Sequence, residues 1–315
     1  MVLDSAQKAL AVVMNARHKM SRLGACRGSG GNREPGLAPK RLMICLALVF
    51  CFLGCGRTDV GESGSASRVK LVLSGSSTVG PLAAEIGKRY EKENPSIRVD
   101  VQTGGSSLGI REASTGLADI GMSSRALKES ENAEAKEWPI AMDGVCFIVH
   151  GDNTVGELTE EQLAGVMRGE IKDWKDLGGE PGAIFFVNRT AGRSELELVT
   201  KFFGIKEVDM KPDLVAGENQ QGIQNVASTP GSISYMSVGA SEEAIRFGTK
   251  IRMLPLKGIA ATVANVESGS FPLSRPLVLV TKHEPTGAAK QFIEYAQSDA
   301  VSDLVRELSY VPIEN

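Results

Sequence analysis

Between Val69 and His150 the sequence alternates apolar, strand-like runs with amphipathic helical ones, three times over. "VKLVL" precedes "PLAAEIGKRYEKEN", in which Leu82, Ile86 and Tyr90 share one helical face and which Pro95 stops. "IRVDVQ" precedes "SLGIREASTG", closed by Gly116, and "ADIGM" precedes a third helix, "LKESENAEAKE", before the strand "AMDGVCFIVH". Strands that alternate with helices predict an α/β fold, a mostly parallel sheet flanked by helices. From about Val145 the pattern restarts. "TEEQLAGVMRG" reads as a helix capped by Thr159, "AIFFVNR" as a strand and "AGRSELELVTKFFG" as a helix. A final helix is expected from about Gly287 to Leu308.

Each of the first three strand-to-helix junctions carries hydroxyl side chains. They are Ser76, Ser77 and Thr78, then Ser106 and Ser107, then Ser123 and Ser124 followed by Arg125. A single Ser or Thr suffices to cap a helix, so three clusters point to a further task. Helix N-termini offer free amides to anions, and the carboxyl ends of parallel strands form one ligand-binding rim. A fourth junction adds cations: Arg189 closes a strand, and Arg193 with Ser194 opens the next helix. Guanidiniums make the forked contacts that an oxyanion favours.

The N-terminal segment reads differently. Lys40 and Arg41 precede "LMICLALVFCFLG", Leu42 to Gly54, an apolar stretch too short to span a bilayer comfortably but suited to a signal-peptide core. Cys55 follows at once and matches the lipidated cysteine of bacterial lipoproteins, with Phe52 where Leu is usual. Residues 1–54 are therefore read as leader and signal peptide, with Met14 and Met20 as alternative starts, and residues 55–67 as a flexible Gly/Ser-rich tether. Three of the five cysteines lie in that leader and Cys55 would carry lipid, which leaves Cys146 alone, unable to form an internal disulfide. Eight of the 35 basic residues and two of the 38 acidic ones precede Cys55, so the remainder carries a formal charge of −9. That balance argues against nucleic acid and requires any anion site to act through local, aimed donors.

Catalysis finds little support in the residues. Gly75 to Gly80 has the glycine spacing of a nucleotide-binding P-loop, but Pro81 stands where the lysine is required. His150 and His283 lie far apart with no metal-ligand spacing, and Ser77 has no evident base. No cofactor or metal is expected.

With the four junctions in view, residues 69–315 resemble the phosphate-binding periplasmic lipoproteins that feed phosphate ABC transporters. The stretches "SGSSTVGPL", "GGSSLGI", "ADIGMSSRALK", "AMDGV", "LTEEQLAGVMRGEIKDW", "TPGSISYMS" and "FPLSRPLVLVTK" occur in that family's order. The resemblance implies a two-lobed periplasmic-binding-protein fold of type II, with phosphate gripped between lobes and delivered to permease subunits. It implies a lipid-anchored monomer on the extracytoplasmic face of a bacterial membrane. Residues 68–144 would form the first segment of lobe 1, residues 145–235 lobe 2, and residues 236–315 the return to lobe 1. Links near Gly144 to Phe147 and Ser232 to Ser237 would join the lobes.

Thr78 and its neighbours match the family's first phosphate loop, Ser106 the second, Ser123 and Ser124 the third, and Arg189 its phosphate arginine. Two departures stand out. "GRSE", Gly192 to Glu195, replaces the usual Gly-Ser-Gly-Thr, and Ser124 stands where many members have Asp. Both preserve an oxyanion site while leaving phosphate and other oxyanions as alternatives. A carboxylate at Glu195 either accepts a proton carried by the ligand or pairs with Arg193 or neighbouring amides. A sensor without a transporter and a phosphate-ester hydrolase are the alternative functions.

Overall fold

Leu82, Ile86 and Tyr90 do lie on one buried face, and around them the first half of the fold assembles. The computed structural model describes residues 68–313. In order, β1 (Val69–Gly75), α1 (Val79–Glu93), β2 (Ile97–Thr103), α2 (Ser106–Thr115) and β3 (Ile120–Ser123) follow the sequence reading closely. The third helix does not. Only α3 (Glu129–Asn132) forms, with no buried residue, and β4 (Lys136–His150) begins inside the span read as helix. That stretch lacks an apolar stripe to bury, so strand pairing decides its conformation over helix propensity.

The second half contains α4 (Glu160–Met167), β5 (Phe185–Arg189), α5 (Ser194–Phe203), β6 (Leu214–Ala216), α6 (Asn219–Ser228), β7 (Ser232–Ser237), α7 (Val238–Arg246), β8 (Ile251–Met253) and α8 (Val263–Glu267). Thr159 caps α4 as expected, its hydroxyl accepting the Gln162 amide while Gln162 reaches back. The chain closes with β9 (Ser274–Thr281), α9 (Gly287–Ala296), α10 (Ser302–Glu307) and β10 (Val311–Pro312). The single C-terminal helix expected from Gly287 is thus two helices, separated by a 3₁₀ turn at Asp299–Val301.

The strands form one ten-stranded sheet in the order β2-β1-β3-β9-β4-β7-β5-β6, with β8 and β10 also on β4. Its wings are parallel: β1 pairs with β2 and β3, and β5 with β6 and β7. Its centre is antiparallel, because β9 runs against both β3 and β4, and β4 against β7.

The long strand β4 serves two cores. Lys136 to Gly144 pairs with β9, and Val145 to Val149 pairs with β7. The first core gathers Leu71, Leu73, Ile120 and Leu279 beneath α1 and α9, with Tyr90 meeting Phe292 edge to face at 5.5 Å. The second gathers Phe147, Val199, Ile223 and Tyr235, and continues through Val238, Ile251 and Val266 to Leu273. Cys146 is buried there and unbridged, its thiol pushed up to about 12 by burial. At the crossing, Gly144 has no room for a side chain, since a Cβ would stand 2.9 Å from methyls of Val238 and Val266.

Candidate functional site

The site begins where β1, β3 and α2 crowd together. Gly75 has φ +139° and a Cβ there would lie 2.2 Å from the Met122 carbonyl oxygen; one on Gly109 would lie 2.4 Å from that of Ser74. Only glycines permit this approach, and it brings the three serine clusters of the first half within reach of one another. Ser76 Oγ accepts the amides of Thr78 and Val79 and donates to Ser124 Oγ at 2.9 Å. The Ser124 amide donates to Ser106 Oγ at 3.1 Å. Across the boundary between the cores, Ser124 Oγ lies 2.6 Å from Ser194 Oγ, at the start of α5.

Thr78 precedes α1 but its side chain does not cap it. Its hydroxyl donates to Glu195 Oε1 at 3.0 Å and accepts from Asn219 Nδ2 and Arg275 Nη2. The hydroxyls divide between local caps and interior contacts. Ser76 satisfies the local turn, and Thr78, Ser106 and Ser124 turn inward. All of these are at most 2% exposed.

Two buried ion pairs complete the cluster. Arg275 on β9 and Asp143 on β4 meet at 2.9 Å, and the same Nη2 lies 3.0 Å from Glu195 Oε1. Arg275 Nη1 donates to Ser194 Oγ at 2.8 Å, and Asp143 Oδ1 accepts the Gly239 amide. Burial pushes the Glu195 carboxyl up, but the Arg275 and Arg189 guanidiniums outweigh it and hold it down at about 2. Glu195 is thus a carboxylate at neutral pH.

Arg189 is 1% exposed. It donates Nη1 to the Glu218 carbonyl at 2.9 Å and Nη2 to Asn219 Oδ1 at 3.0 Å, with Glu195 3.9 Å away. Arg189 Nε and Arg193 Nη1 are buried donors with no protein acceptor. Buried donors are rarely left so.

The sequence-chosen residues divide into two groups. Ser76, Thr78, Ser106, Ser124, Ser194 and Arg189 converge. Ser77 is half-buried and lines a groove beside Pro81 and Asn219. Ser107 donates to Glu197, and Ser123 closes a local turn with the amide and carbonyl of Arg125. Arg125 forks onto Glu131 and stands 3.0 Å from Glu197. Arg193 pairs with Glu218 at 2.8 Å rather than with Glu195, so the expected Arg193–Glu195 pair does not form. Glu195 takes Arg275 and Thr78 instead, because it points to the interior side of α5. Cys55 lies outside the described residues.

Arg275 and Asp143 were missed as site residues. A signal existed: each is a charged residue inside an otherwise apolar strand, "AMDGVCFIV" and "SRPLVLV". A charge is tolerated there only with a buried partner. Among the described residues no group of His, Cys, Asp and Glu could hold a metal ion, and no helix is long and apolar enough to cross a membrane.

The model of the PBP superfamily domain matches residues 60–300. A phosphate-binding protein PstS of Borreliella burgdorferi is 31% identical over 250 residues, 76% of this chain and 89% of that protein. The one of Bacillus subtilis is 26% identical over 284 residues, 86% of this chain and 93% of its own length. A Clostridium perfringens structure with bound phosphate, assigned to a phosphate ABC transporter as its substrate-binding protein, superposes with a TM-score of 0.72 at 28% identity. It covers 78% of this chain and 100% of its own. The chain belongs to the PBP superfamily and, within it, to the family of the PstS phosphate-binding proteins.

Proposed function

We propose that this chain is an extracytoplasmic substrate-binding component that captures inorganic phosphate between two lobes and delivers it to the permease of an ABC transporter. The observation that carries the reading is the pairing of inward hydroxyls with buried guanidinium donors that no protein group accepts from, Arg189 Nε and Arg193 Nη1. A buried oxyanion needs many aimed hydrogen bonds to replace its hydration, and Ser76, Thr78, Ser106, Ser124 and Ser194 would supply them, without adding charge, by exchanging their contacts with one another and with Glu195 for the anion. Ser77, Ser107, Ser123 and Arg125 then shape the loops around the anion rather than touch it.

In this reading residues 68–144 and 274–313 form one lobe and residues 145–273 the other. The return point moves from 236 to 274 because Val238 to Leu273 share the second core, and Ser232–Ser237 pairs with β4 and β5 inside it. The two crossings, Gly144–Val145 and Leu273–Ser274, form the hinge. Cys55 is proposed as the lipid anchor, and the protein as a monomer without catalytic activity. The test is calorimetry of residues 56–315 against phosphate, arsenate, sulfate and molybdate. Phosphate should bind most tightly, and a chromogenic phosphate ester should not be turned over. Absence of phosphate binding at millimolar concentration overturns the assignment.

A further inference from the structure

Arg275 faces two carboxylates at once, and they belong to different parts of the fold. Asp143 on β4 and Arg275 on β9 are direct cross-strand neighbours in the antiparallel centre of the sheet. Each stands beside a crossing between the cores, Asp143 just before Gly144 and Arg275 just after Ser274. Nε and Nη2 of Arg275 both donate to Asp143 Oδ2. Strand register therefore fixes this pair, however the two lobes are set. Glu195 comes from α5, on the other side of the boundary, and takes the same Nη2 at 3.0 Å. Ser194 beside it meets Nη1 at 2.8 Å. Arg275 thus reaches from one lobe into the first turn of a helix in the other.

Sharing one guanidinium nitrogen sets the two carboxylates against each other. All three groups are at most 2% exposed, where charges are weakly screened. When the lobes part, Arg275 keeps Asp143 as its countercharge. Glu195 keeps Arg189, 3.9 Å away within its own lobe, so opening strands neither charge. When the lobes meet, Glu195 gains Arg275 but faces the negative charge of Asp143 across a single nitrogen. We propose that Arg275 is a latch residue that holds the lobes together through Glu195, and that Asp143 weakens the latch so that they reopen. Asp143 then sets phosphate affinity as a positioning residue, without touching the anion. A site that is seldom closed binds more weakly by that fraction, and one locked shut exchanges its cargo slowly. This inference rests on the two-lobe reading of the chain.

The test is the ratio of closed to open molecules without phosphate, read by single-molecule energy transfer in residues 56–315. Dyes go on Lys92→Cys in α1 and Lys206→Cys after α5, both exposed positions, while the buried Cys146 is shielded from label. Asp143→Asn and Glu195→Gln each remove one charge and keep the side chain's shape. Glu195→Gln should lower the closed-to-open ratio about tenfold or more, and Asp143→Asn should raise it by a similar factor. Opposite shifts are the signature, since a purely structural role would weaken both proteins without ordering the ratio. Where the wild type already lies at one extreme, the variant that acts in the other direction carries the test. Equal ratios in all three proteins, or either variant moving the opposite way, overturn the inference and leave phosphate binding untouched. If the dyes report one separation with and without phosphate that calorimetry shows to bind, the two-lobe reading fails and the latch with it.

Discussion

Two parts of the junction between the cores lie a few residues apart on α5 and hold by different means. Inside, Ser194 and Glu195 meet Ser124, Thr78 and Arg275 in a cluster whose members are at most 2% exposed. At the rim, Glu197 receives Ser107, Arg125 and Lys128, with Lys128 half-exposed and Glu197 about a quarter exposed. The inner cluster balances two arginines against two carboxylates and fills the remainder with neutral hydroxyls. At the rim the Lys128 pair is in contact with water, while the Arg125 pair is largely buried. One helical turn thus faces two dielectric regimes, and the same kind of contact has different consequences in each.

The largest effect is expected from Arg275→Ala. Removing one member of a buried charged set leaves the others uncompensated, which costs about 3–5 kcal/mol. Here Asp143 and Glu195 would both lose their partner. Urea unfolding should show that loss, against less than about 1 kcal/mol for Lys128→Ala at the rim. Similar midpoints for the two variants would erase the distinction between the regions.

Next comes Arg189→Ala. Its guanidinium is held by backbone and Asn219 oxygens while its buried Nε–H has no protein acceptor, so that donor is free for an acceptor. A charge-assisted bond of this kind is worth at least ~2 kcal/mol, roughly thirtyfold in phosphate affinity. A folded Arg189→Ala protein that binds phosphate as tightly as wild type would remove Arg189 from the site.

Much of this contrast was legible in the sequence, and the rest was not for identifiable reasons. The parallel wings followed from strand–helix alternation, and Ser76, Thr78, Ser106, Ser124 and Ser194 from their place at junctions. Local sequence carries that information. The antiparallel centre escaped because β9 inserts between β3 and β4 from more than a hundred residues away, and no local pattern reports such a pairing. Arg275 escaped for the same reason: its partners Asp143 and Glu195 are 132 and 80 residues distant. Ser123 and Ser124 are neighbours of identical type, and the strand ends between them, so only the path of the backbone beyond β3 separates the turn-former from the site residue. The helix read over "LKESENAEAKE" failed because residue propensities alone supported it.

The smallest effects sharpen the comparison most. Ser106→Ala deletes one neutral group that accepts the Ser124 amide and touches its hydroxyl. That should cost ~1 kcal/mol of phosphate binding, about fivefold. Glu197→Gln removes the rim carboxylate but leaves Arg125 forked onto Glu131, so its cost should stay under about 1 kcal/mol. The two are separated by salt rather than by size. Exposed ion pairs weaken as ionic strength rises and the screening length falls from roughly 30 Å at 0.01 M to about 10 Å at 0.1 M, whereas a hydrogen bond between buried neutral groups does not. Measured across that range with sodium chloride, Ser106→Ala should lose the same factor in affinity at every salt concentration. The deficit of Glu197→Gln should shrink partly at the high end, because screening weakens the exposed Lys128 contact without abolishing an ion pair at contact distance. A Glu197→Gln deficit that holds constant with salt would place Glu197 in the inner regime, and the division drawn along α5 would have to move outward by a turn.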